Sequence, residues 1–166
     1  METFIFRSQF PVTKEQLFQF HEDPIGFSTL MTANPGIQVK QKPKSLAVGE
    51  VAILKVPLVP MIPFLYVTWI AKHTIYEKNK MFQDNQEKGP FKKFLHSHVF
   101  LDVEDKPNES ILSDEVQISF YLWPISKYFI YPILYLMFRK RHQMTAAYFK
   151  TNFRLIFSGY SRTVID

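Results

Sequence analysis

The sequence predicts an α+β protein: a curved antiparallel β-sheet with two short helices and a long C-terminal helix that encloses a cavity against it. Three observations lead there. Alternating apolar and polar stretches, separated by short turns rich in Gly, Pro and Asn, run from residue 37 to residue 122, the pattern of strands joined by hairpins. Two short helical segments lie between the first strand and that run. One long segment near the end follows helical spacing, and a sheet with one apolar face needs such a cover.

The first strand is expected over Thr3–Gln9, where Phe4 and Phe6 alternate with Ile5 and Arg7, and Pro11 ends it. Thr13-Lys14-Glu15-Gln16 has the form of a capping box, with Thr13 as N-cap and Gln16 three positions on. That helix stops before Pro24. A second covers Ile25–Met31 and ends before the turn Asn34-Pro35-Gly36. Strands then follow at 37–41, 51–56, 64–76, 81–87, 91–103 and 110–122. The closing helix is expected from about Lys127 to Phe157, with a kink or a start at Tyr131-Pro132.

Composition narrows the function. Hydrophobic residues make up 46% of the 166, and 17 Phe, 8 Tyr and 2 Trp dominate what can be buried. Rings of this kind fill a core and also line cavities for flat or greasy guests. Cysteine is absent, which excludes disulfides, thiolate metal sites and a cysteine nucleophile, and fits a cytoplasmic setting. Five glycines offer no phosphate-cradling loop. The net charge of +5 is uneven, acidic over residues 101–124 and basic over 125–166, with Arg139, Lys140 and Arg141 adjacent. No nucleic-acid motif surrounds that block, so nucleic acid is not expected as a partner. The apolar runs 51–71 and 120–138 are broken by prolines and lysines and do not read as membrane spans.

Several motifs resemble the SRPBCC superfamily, the START-like or birch-pollen-allergen-like helix-grip proteins, and within it the bacterial ligand-binding and polyketide-cyclase-like branch. They are Phe20-His21-Glu22-Asp23-Pro24, Trp69-x-Ala71 followed by Tyr76, Phe82-x-Asp84-x-Gln86, Gly89-Pro90-Phe91, His96-x-His98-x-Phe100 and Asp114-Glu115-Val116. Phe94 stands where similar proteins often carry Trp. The resemblance covers most of the chain as one domain, 1–166, and implies a helix-grip fold around a cavity. Activities differ widely across such folds, so function must come from the site.

The stretch Phe94-Leu95-His96-Ser97-His98-Val99-Phe100 puts Phe, His, His and Phe on one strand face. In the last strand Asp114 shares a face with Leu112, Val116, Ile118 and Phe120. A five-residue hairpin loop, Glu104–Asn108, would pair residues whose numbers sum to 212 and set His98 opposite Asp114. Phe82, Asp84 and Gln86 alternate together and can approach Phe94 and His96 across the Gly89-Pro90 turn. Such an inward polar cluster must bond within itself, to water or to a ligand. On the closing helix Leu134, Phe138, His142, Thr145, Phe149, Phe153 and Ile156 fall on one face.

The expected function is therefore binding of a small hydrophobic or amphipathic molecule, lipid- or polyketide-like. Trp69, Phe82, Phe94, Phe100, Phe120, Phe138 and Phe149 would form the walls; Asp84, Gln86, His96, His98, Asp114 and His142 would meet its polar part. The residues favour a binding protein over an enzyme. The enzyme alternative is a cyclase or dehydratase in which His98 and Asp114 move protons, as the resemblance suggests. A further alternative is a protein- or membrane-interaction module built on the apolar loop 56–64, with Leu58, Val59, Met61 and Ile62, which also allows a transient membrane-surface contact. No metal or other cofactor is expected, because the His-x-His spacing leaves a third ligand undetermined among Asp84, Asp114 and His73.

Overall fold

In the computed structural model, residues 2–32, 36–57 and 65–162 are described. Leu58, Val59, Met61 and Ile62 of the apolar loop lie outside them. The elements are β1 (Glu2–Phe10), α1 (Lys14–Glu22), α2 (Pro24–Thr32), β2 (Gln38–Gln41), β3 (Val51–Pro57), β4 (Tyr66–Glu77), β5 (Met81–Lys88), β6 (Lys93–Asp102), β7 (Ser110–Ser119), α3 (Lys127–Tyr148) and β8 (Arg154–Arg162). All eight strands form one antiparallel sheet in the order β2-β3-β4-β5-β6-β7-β1-β8. The α+β architecture read from the sequence is the one observed, with one change at its end.

That change is β8. The expected helix to Phe157 stops at Tyr148, and the chain returns as a strand paired with β1, which becomes an inner strand. The helix end is a Schellman motif: Thr151 N–H donates to Ala146 O at 2.9 Å and Lys150 N–H to Ala147 O at 3.0 Å, with Lys150 left-handed at φ 54°. Glycine usually takes that position, and a lysine there gives the sequence no stop signal. Leu134, Phe138, His142 and Thr145 form the buried helix face. Phe153, placed on that face by helical spacing, instead follows the helix and stacks on Phe10, with ring centroids 5.8 Å apart. Ile156 lies on the edge strand β8, 45% exposed.

At the other end, Thr13 caps α1 through the full capping box, and Asp23 both closes α1 and starts α2. Asp23 Oδ1 accepts the Ile25 N–H at 2.7 Å, and Pro24 occupies the first helical position, where its missing donor costs nothing. The corner this makes is tight. A Cβ on the buried Gly26 would sit 1.7 Å from the Phe20 carbonyl oxygen. Gly26→Ala is therefore expected to force the two helices apart and to cost at least about 2 kcal/mol. A lowered urea midpoint at unchanged m-value checks this, and a wild-type midpoint would contradict it.

The core is two apolar clusters. Phe4, Phe6, Phe94, Val116, Ile118, Leu134 and Phe138 make one; Phe10, Phe18, Phe82, Phe100, Leu112 and Ala146 belong to the other. Between them runs a polar belt, one short stretch from each element: Ser8 on β1, His96 and His98 on β6, Asp114 on β7 and His142 on α3, all buried. The Phe-His-His-Phe face of β6 thus steps from one cluster, across the belt, to the other.

Candidate functional site

All five histidines of the chain are buried, at 0 to 7% exposure. The ladders bring His73, Asp84, His96, His98 and Asp114 together: β4 pairs with β5 at His73–Asp84, β5 with β6 at Asp84–His96, and β6 with β7 at His98–Asp114. The β6–β7 pairs sum to 212 throughout, from Lys93–Ser119 to Asp102–Ser110.

Asp114, 1% exposed, is the hub. Its Oδ1 accepts from His96 Nε2 at 2.9 Å and its Oδ2 from His142 Nε2 at 2.7 Å. His98 Nδ1 lies 2.8 Å from Oδ1, outside hydrogen-bond alignment. Burial alone would raise the Asp114 pKa, but its contacts with His98, His142 and His96 hold it well below the usual carboxylate range. Asp84 sits in front of the imidazoles, its Oδ2 3.5 Å from His96 Nδ1 and 3.7 Å from His98 Nε2. It too is lowered, against the effect of burial, by His98, His96 and His73.

Burial drives the histidines the other way. His96 is pushed down to about 4 and His21 to about 3, and His73 and His142 are also lowered, each chiefly by desolvation. His96 is therefore a neutral imidazole at pH 7. Its Nε2 carries the proton into Asp114, and its Nδ1 presents a lone pair towards Asp84. His21 donates from Nδ1 to Leu17 O at 2.8 Å.

In front of this cluster lies a cavity of about 190 Å³, partly open to solvent. Of the residues expected from sequence, Trp69, Phe82, Asp84, Phe94, His96 and His98 line it. The others lie elsewhere. Asp114, Phe138 and His142 stand behind the imidazoles in the core, and Phe100 packs on Phe18 and Phe82. Phe120 packs on Phe91, and Phe149 on Phe20. Gln86 folds under the β5–β6 turn, its Nε2 donating to Phe91 O at 2.8 Å, a space that Gly89 leaves free for want of a Cβ.

Sequence reasoning missed other lining residues: His21 on α1, Leu30 on α2, Leu46 before β3, and Met137 and Arg141 on α3; His73 on β4, named there only among candidate metal ligands, lines the cavity too. For His21 a signal exists. It follows Leu17 by four positions on a capped helix and so shares its buried face. Ala52 and Ala71 face each other across β3 and β4 and keep the floor low. The wall can hold an apolar body against Trp69, Phe94 and Leu54, while Asp84 and the imidazoles accept or donate hydrogen bonds. Asp114 is out of a guest's reach and acts only by positioning His96 and His98.

A sheet wrapped on one long helix with a cavity between them defines the helix-grip architecture. No family model matches the chain, and no curated protein matches it. Solved structures do. A Chromobacterium violaceum protein superposes with a TM-score of 0.65 at 10% identity, over 90% of this chain and 98% of that one. A Thermus thermophilus protein does so at 0.60 and 10%, over 88% and 98%. The nucleoside-diphosphate sugar epimerase from Corynebacterium glutamicum reaches 0.64 and 18%, over 88% of this chain but 29% of that longer one. At these identities the likeness is one of fold.

Proposed function

We propose that the protein is a START-like (SRPBCC) binding protein that takes up a small, mainly apolar molecule in the cavity between the sheet and its helices. The observation that carries this reading is the cavity itself: apolar walls with Asp84, His96 and His98 grouped on one side, the usual arrangement of a small-molecule site. Its size limits the guest. An apolar cavity of about 150 Å³ holds one benzene-sized molecule, so about 190 Å³ suits a single ring with a short substituent. The neutral His96 and the ionised Asp84 would hold a hydroxyl or amine on that ring. The resemblance of the Trp69–Val116 motifs to the bacterial ligand-binding branch supports the same reading.

Native mass spectrometry of the purified protein tests it. The wild type is expected to carry a small-molecule adduct that is released on denaturation. Ala71→Phe, which raises the cavity floor, is expected to fold and to lose the adduct. A bare wild-type mass, or an adduct that survives Ala71→Phe unchanged, would remove the basis of the proposal.

A further inference from the structure

We infer that Asp84, His96 and His98 form a binding site for a divalent transition-metal ion of the zinc class, with Asp114 behind both imidazoles and one coordination position open to the cavity. This departs from the expectation of no metal. The spacing on β6 supplied two imidazoles, and only the β5–β6 register supplies the third ligand. One donor atom from each of the three lies within 4.8 Å of the others. Around a tetrahedral ion with metal–ligand distances near 2.0–2.2 Å, donors sit about 3.3–3.6 Å apart. The gaps from Asp84 Oδ2 to His96 Nδ1 and His98 Nε2, 3.5 and 3.7 Å, are already close to that spacing.

The ring orientations agree. His96 donates from Nε2 to Asp114, and His98 sets Nδ1 2.8 Å from the same oxygen, where an anionic neighbour favours N–H. The opposite nitrogens of both rings therefore turn to Asp84. A carboxylate behind each ligating imidazole is the usual way of fixing tautomer and orientation at a metal centre. Charge points the same way. The cluster holds two carboxylates, and among the described residues no Lys or Arg forms an ion pair with either. A divalent ion supplies the missing positive charge. Two imidazoles and a carboxylate suit Zn²⁺, Fe²⁺ or Co²⁺. The inference does not depend on the guest in the apolar part.

The test is metal uptake by the chelator-stripped protein. Zn²⁺ is expected to bind at one equivalent and raise the melting midpoint by several degrees, and Co²⁺ to give visible d–d bands of a low-coordinate site. Asp84→Asn, only partly buried and outside the Asp114 network, is expected to stay folded and to weaken Zn²⁺ at least 100-fold. Ala71→Phe is expected to keep the metal, which separates this inference from the proposed guest. Absence of Zn²⁺ and Co²⁺ binding by the wild type would overturn it, as would equal Zn²⁺ affinity in Asp84→Asn, the mark of surface binding.

A different observation concerns the outer face of α3. Leu122, Ile125, Tyr128, Phe129, Ile133 and Leu136 are 59–82% exposed. They run from the preceding turn along three turns of the helix, and the same face continues as the exposed Arg139 and Lys140. Residues 116–165 contain no Asp or Glu. The geometry points to docking of this face on an anionic lipid surface, apolar and aromatic side chains entering the interface with the cations at headgroup level. A second copy of the chain would set like charges against each other. Among the described residues no helix is long and apolar enough to cross a membrane, so the helix would lie on the surface.

Flotation with phosphatidylcholine vesicles, with and without phosphatidylglycerol, tests this. Binding is expected only to the anionic vesicles, to weaken with salt, and to fall at least tenfold in Phe129→Ser/Leu136→Ser. Failure to float with either vesicle would overturn it. So would concentration-dependent dimerisation abolished by the same double substitution, which would assign the face to a second copy.

Discussion

Asp114→Asn is expected to lower the stability of the metal-free protein by about 3–5 kcal/mol, the usual result of removing one partner from a buried charged network. Asp114 is 1% exposed and joins β7 to β6 through His96 and His98 and to α3 through His142. Asparagine keeps the shape but offers a single acceptor oxygen and adds an NH₂ that must itself find a partner. One imidazole must change tautomer or leave a buried N–H unpaired, and the charge-assisted bonds weaken together. For a domain of this size the loss corresponds to a melting point lowered by roughly 10 °C. Asp84→Asn serves as the control. Its carboxylate has no aligned hydrogen bond to either ring and stands 3.5 and 3.7 Å from them, so removing its charge should lower the metal-free melting point by clearly less than Asp114→Asn does. Equal effects of the two substitutions would show that the structural and the ligand-facing carboxylate have been wrongly separated.

Mild acid is expected to unfold the metal-free protein before the ordinary carboxylate range near pH 4 is reached. His21 shows why. It is packed between Phe82 on β5, His98 and Phe100 on β6, its own Leu17 carbonyl, and the charges of Asp114 on β7 and Arg141 on α3. Burial brings its folded pKa to about 3, while an unfolded histidine titrates near 6.5. Between those values the unfolded chain binds the proton and the folded one does not, so stability falls as pH falls through that window. The slope is about 1.4 kcal/mol per pH unit for each such group. His73, His96 and His142, lowered in the same direction, add to it. Asp84 and Asp114, whose folded values are depressed, hold their contribution down to the carboxylate range and lose it below that, extending the same trend. Urea unfolding at pH 7.5, 6.0 and 5.0 measures the slope. A midpoint independent of pH over that range would mean that the histidines are not buried in neutral form.

These two effects come from residues of very different legibility. His96 and His98 share a strand face by period alone, and the hairpin loop length put His98 opposite Asp114, because a short loop between alternating strands leaves one register that buries the apolar set. Thr13 and Gln16 announced the start of α1 by a local hydrogen-bond pattern, and that is the pattern seen. The end of α3 was not announced. Its left-handed residue is Lys150, held there by the Ala146 and Ala147 carbonyls and not by the lack of a side chain. Arg154–Arg162 is a strand because β1 offers it an open edge, a fact of sheet order that no local window contains.

The sequence alone determined the periodicity of the strands, the covering helix, the absence of thiol chemistry and the inward pairing of imidazoles with a carboxylate, all of which follow from residue type and short spacing. The tertiary structure decided which carboxylate stands behind the imidazoles and which in front. It also decided that His21 and His73 join them, that His142 meets Asp114 from behind, and that four of the seven expected wall residues, Phe100, Phe120, Phe138 and Phe149, lie away from the cavity. The physical reason is that these outcomes depend on strand order, on the rotation of α3 about its axis and on side-chain volume between distant segments. Each is set by packing the whole molecule at once, beyond the reach of preferences carried by single residues or their near neighbours.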